Sequence, residues 1–184
     1  MNGQSDLEQI AGRLGEFFEP VLPGVEIDVA HSSRWGRVVV TVRHGDFARW
    51  LPEQRFKKLV QLIPPEFFEE HLTGVVWFEL APGETPDDLM KARRSEDVAG
   101  EEPELARALL GNGFFGALEV ALGPSPIETC GGEFGVAKKV LEELGVKGDG
   151  QRDTCLMFIL NGAYCDCEVL LAVGPALVER YGRS

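Results

Sequence analysis

Four cysteines carry the chemistry open to this chain: Cys130, Cys155, Cys165 and Cys167, all in its last third. Two of them stand in a run with two carboxylates, Cys165-Asp166-Cys167-Glu168. Thiolates bind soft metals and attack disulfides, and geometry selects between these uses. Zinc holds thiolates at about 2.3 Å in a tetrahedron, so neighbouring sulfurs must approach to roughly 3.8 Å. In a straight strand Cys165 and Cys167 share a face with their Cα atoms about 6.6 Å apart. They reach one ion only if the chain bends at residue 166. Cys130 would arrive from a helix start, and Cys155 or a carboxylate would complete the set. The spacing Cys-x24-Cys-x9-Cys-x-Cys is not a zinc-finger pattern.

Charge sharpens the alternatives. Thiolates beside Asp166 and Glu168 repel one another, so without a cation both thiols are expected to stay protonated. The run is then either metallated or chemically quiet, as small buried hydrophobes. Cys130, in the run Thr129-Cys130-Gly131-Gly132, reads differently. A helix expected from about Glu133 would direct its dipole and unpaired N–H groups at the thiol and lower its pKa. The glycine pair would expose N–H groups to an anion. No histidine base lies near it in sequence, because all three, His31, His44 and His71, fall in the first half. No phosphate-binding glycine loop, nucleophile elbow or metalloprotease helix is present, and no catalytic residue is assigned.

The elements that must position these residues follow from apolar periodicity. Leu7, Ile10, Leu14, Phe17 and Phe18 predict a helix that Pro20 and Pro23 end. Val25, Ile27 and Val29 alternate, the run Arg37 to Val42 is β-branched, and the turn composition of His31 to Gly36 predicts a hairpin between them. Pro52 opens a helix whose face is Phe56, Leu59, Val60 and Ile63, and Pro64-Pro65 stop it. A third strand follows with Val75, Trp77 and Glu79 alternating. Residues 1–82 thus form an α+β unit with a small mixed sheet packed by helices. Residues 83–104, rich in charge, proline and glycine, are the expected linker, with room for one short helix.

Residues 105–184 are expected to be a mostly helical cysteine-containing domain. Helices broken at Gly111 and Gly113 come first. A helix from about Glu133 follows, with Phe134, Ala137, Val140, Leu141 and Leu144 inward and Gly145 as C-cap. The run Asp153 to Val173 reads two ways. Asn161-Gly162 is either a hairpin turn between strands or the end of a helix, so the cysteines sit on a hairpin or a helix-turn. The aromatic pairs Phe67-Phe68 and Phe114-Phe115 are each expected to turn one ring outward, as interfaces do.

Two stretches resemble known families. The run from Val38 through Asp46, Phe47 and Arg55 to the strand Val75–Leu80 looks like the core of BolA-like proteins, whose fold is related to type II KH domains. That resemblance implies the α+β fold and an adaptor role in iron–sulfur handling. It does not supply the family's functional histidine, since Thr73-Gly74-Val75 stands at that place. The run Gly162-Ala163-Tyr164-Cys165-Asp166-Cys167-Glu168-Val169-Leu170 is similar to the C-terminal signature of a bacterial domain family of unknown function. Members of that family carry an upstream cysteine at a helix start, the place of Cys130.

Bulk properties limit partners. The 184 residues carry a net charge of −12. Residues 1–100 hold 17 acids and 11 bases, and residues 101–184 hold 13 and 7, so each part carries −6. Such a surface repels phosphate backbones, no Gly-x-x-Gly loop stands where a KH domain would clamp nucleic acid, and no nucleic-acid partner is expected. No apolar run approaches the roughly 20 residues of a membrane helix, and the polar start predicts a cytoplasmic protein. The leading expectation is a non-enzymatic interaction or adaptor protein with a protein partner. Zinc is its candidate cofactor, and the candidate ligands are Cys130, Cys165, Cys167 and Cys155. The alternative is a thiol-dependent redox enzyme using Cys130 with Cys165 or Cys167 as resolving partner.

Overall fold

The computed structural model describes residues 3–182 and divides into two compact units, Met1–Ala92 and Arg93–Ser184. The protein has an α+β fold. Its first unit runs α1 (Gly3–Phe18), β1 (Glu26–Ser32), β2 (Arg37–Arg43), α2 (Pro52–Val60), α3 (Pro65–His71), β3 (Val76–Leu80) and α4 (Pro86–Lys91). β1 and β2 form an antiparallel hairpin closed at Ser32 and Arg37, and β3 pairs in parallel with β2. A parallel pair needs a crossover, and α2 and α3 supply it.

Both faces of the sheet are covered, and β2 shows this residue by residue. Val40 and Val42 pack with Leu14 and Phe18 of α1 and with Phe47, Leu59 and Leu72. Val39 on the other face packs with Phe78, Leu80 and Leu89 of α4. A strand covered on both sides loses the alternation of a half-exposed one. Glu79, expected to share a face with Val75 and Trp77, is buried for this reason.

α2 is rotated from its expected orientation. Phe56 is 40% exposed, whereas Arg55 is buried one turn before Leu59. Arg55 donates to the carbonyls of Trp50 and Glu79 and forks onto the Glu84 carboxylate at 2.5 and 3.0 Å. These four hydrogen bonds turn the guanidinium inward and the phenyl ring outward. The Arg55 contact also holds the Glu84 carboxyl below its ordinary pKa.

The second unit is helical: α5 (Glu102–Gly111), α6 (Phe114–Leu122), α7 (Pro126–Thr129), α8 (Gly135–Glu143), α9 (Asp149–Leu160), α10 (Asp166–Glu168), a π turn over Val169–Val173 and α11 (Gly174–Tyr181). The unit boundary falls within residues 83–104, and α4 and a 3₁₀ turn over Ser95–Val98 occupy much of that stretch. α9 is the central helix. Every residue from Asp153 to Ile159 is buried, so no polar face marks it as helical in sequence. Its aromatic core is Phe158, stacked on Phe114 at 5.6 Å and meeting Phe134 edge-on at 5.9 Å.

Asn161-Gly162 is not a hairpin turn. Gly162 takes φ +88°, its N–H bonds the Ile159 carbonyl, and the Ala163 N–H bonds the Phe158 carbonyl. This pair of bonds is a Schellman stop that ends α9 and frees the cysteine run for a new helix start. The expected outward rings also differ. Phe114 is fully buried, Phe115 lies against Gly174, and Phe67 meets Phe17 of α1 at 5.3 Å. The large exposed apolar side chains are others, among them Val120, Ile127, Leu171 and Val178. No single helix among the described residues is long and apolar enough to cross a membrane.

Candidate metal centre

The bend required of the cysteine run is present. Cys165 is extended, at φ −149° and ψ 167°, and α10 begins at the next residue. This change of direction turns both thiols to one side, with Sγ atoms 3.3 Å apart. Cys130 joins them from the end of α7, so that one ligand atom from each of the three residues lies within 4.8 Å of the others. The group could hold a metal ion, and all three residues are only partly buried.

Cys130 does not stand at a helix start. It is the C-cap residue of α7, and α8 begins only at Gly135. The first N–H groups of α8 face elsewhere: Val136 and Ala137 donate to the two oxygens of Asp166 at 2.9 and 2.8 Å. The Asp166 N–H in turn bonds the Glu133 carbonyl at 3.0 Å. Asp166 is 1% exposed. It is therefore the clamp that fixes the cysteine run to the loop after Cys130, and it neutralises orphan donors of α8. Burial pushes its carboxyl pKa up, against the pull of the Ala137 and Val136 amides.

This placement changes the reason the thiols of the run are protonated. Burial, not carboxylate repulsion, is the main push that raises both Cys165 and Cys167. The Glu168 charge adds least for Cys167. Glu168 is itself committed, since one of its oxygens accepts the Tyr164 N–H at 2.6 Å. Cys130 is the exception. Burial opposes its ionisation, but the amides of Cys167 and Gly132 and the thiols of Cys167 and Cys165 donate to its sulfur and bring its pKa down. Of the glycine pair, it is the Gly132 amide that favours the ionised form of this sulfur.

Cys155 stands outside the group of three. It is fully buried in α9, and burial pushes its thiol up to about 12. The histidines serve elsewhere. His44 caps a 3₁₀ turn by accepting the Asp46 N–H, His71 packs on Phe67, and His31 lies in β1. Asp166 as a helix clamp left no sequence signal, because an aspartate between two cysteines reads first as a metal ligand.

Comparisons of the chain with family models, with curated proteins and with solved structures give no match.

Proposed function

We propose that this protein holds a thiophilic metal ion, zinc first among them, through Cys130, Cys165 and Cys167, and that the ion ties the second unit together. The observation that carries this reading is the convergence of three sulfurs from segments far apart in sequence to within 4.8 Å of one another. Thiolate softness favours zinc or copper(I) over magnesium or calcium. Metal binding replaces thiol protons of the trio, so the ion joins the loop after α7 to the start of α10 and adds its binding energy to folding. The role is structural, in a protein that works by contact with a protein partner. Val120, 83% exposed, and Ile127, 71% exposed, are apolar surface suited to such contact.

Metal analysis of protein purified without added metal tests the reading, with Cys130→Ser and Cys167→Ser as controls. About one equivalent of zinc, lost in both variants, supports it; less than about 0.2 equivalents of metal removes it. The redox reading, Cys130 with Cys165 or Cys167 as its resolving partner, draws on the same convergence within 4.8 Å. It predicts a metal-free protein in which added hydrogen peroxide oxidises Cys130 and one thiol of the pair to a disulfide, with water as product, and thioredoxin-type reductants reopen it.

A further inference from the structure

We propose that the zinc site is open, and that its fourth position, facing solvent, takes an external organic thiol. This rests on zinc binding by the three cysteines. Among the described residues no fourth histidine, cysteine, aspartate or glutamate joins the group. The nearest carboxylates in sequence are engaged: both oxygens of Asp166 face the amides of Val136 and Ala137, and one oxygen of Glu168 accepts the Tyr164 amide. Cys155 is sealed inside α9. A tetrahedral ion with three protein ligands keeps one position for water or substrate.

The surroundings select what enters. The three cysteines are only partly buried, so solvent reaches the trio. A soft, thiolate-bound metal favours a ligand with a sulfur head over a hard oxyanion. On binding, the thiol R–SH loses its proton to solvent, its sulfur forms the bond to zinc, and a water molecule leaves. No oxidant or reductant is consumed.

X-ray absorption at the zinc edge tests this on the full chain, loaded with one equivalent of zinc and kept reduced by a phosphine. The expected first shell is three sulfurs and one oxygen or nitrogen. Addition of 2-mercaptoethanol is expected to convert it to four sulfurs, whereas ethylene glycol leaves it unchanged. Four sulfurs before any thiol is added would overturn the open position, and the Cys155→Ala variant would identify a fourth sulfur drawn from α9. Three sulfurs unaltered by a saturating thiol would overturn the ligand class. A protein that retains no zinc fails earlier, at the metal site itself, and metal content reports that separately.

Discussion

Replacing Asp166 by alanine leaves all four cysteines in place and removes only the clamp beneath them. Two hydrogen bonds from helix N–H groups to a buried carboxylate are lost, at 2.9 and 2.8 Å. Bonds to a charged acceptor are worth about 1.5–3 kcal/mol each, and of the two freed N–H groups that of Ala137 is buried while that of Val136 is part-buried. Against this, the variant no longer buries a carboxylate, which returns part of the loss. The balance is a destabilisation of about 2–4 kcal/mol, a large share of the roughly 5–15 kcal/mol of a typical domain. The loop after Cys130 and the start of α10 then lose their fixed separation, and zinc affinity is expected to fall about 10–100-fold, as for other groups that orient metal ligands. Urea unfolding and competition with a chromophoric zinc chelator measure the two effects. Glu168→Gln, which keeps an oxygen for the Tyr164 N–H, is the control and should alter stability by less than about 0.5 kcal/mol. If Asp166→Ala unfolds at the same urea concentration and binds zinc as tightly as the parent, the clamp argument is wrong.

Other perturbations test separate parts of the structure. Cys155 should be alkylated only on unfolding, after the other three cysteines of the metal-free protein, because burial keeps it protonated; labelling by mass spectrometry at pH 8 checks the order. Gly174→Ala would bring a Cβ to 2.9 Å from the Phe115 ring, at an expected cost of about 1–3 kcal/mol. Adding Phe115→Ala should make the glycine substitution nearly neutral in a double-mutant cycle. In the first unit, Glu84 has its pKa lowered by Arg55, so its contribution is complete above the unfolded value of about 4.3 and is lost as pH falls through the lower folded value. Glu84→Gln should flatten that acid limb in urea midpoints measured from pH 7 to pH 3, and an unchanged limb would contradict the assignment. Zinc at about 100 times its dissociation constant should stabilise the second unit by about 2.7 kcal/mol, and a cysteine variant should show no such gain.

The amphipathic α1, the alternating β1, and α8 with its Gly145 stop show in apolar spacing, since water on one side leaves a polar record, whereas β2, covered on both faces, shows only as a β-branched run. α9 left none, because its middle is buried all round, and only the Schellman bonds at Gly162 separate helix from strand. α2 misled in orientation for another reason. The hydrogen-bond needs of Arg55, met by carbonyls of Trp50 and Glu79, outweigh the burial of Phe56.

At the candidate site, residue types alone determined that the chemistry is sulfur chemistry and that Cys165 and Cys167 share an ion only across a bend. Tertiary structure decided the rest. It supplied the bend by starting a helix at Asp166, brought Cys130 to the pair from the end of α7, and left Cys155 in the core. It also turned Asp166 away from the sulfurs, toward the N–H groups of α8. The physical reason is that a side chain's partners are set by which orphan donors lie within reach, and those donors belong to a helix that begins some thirty residues earlier in the chain.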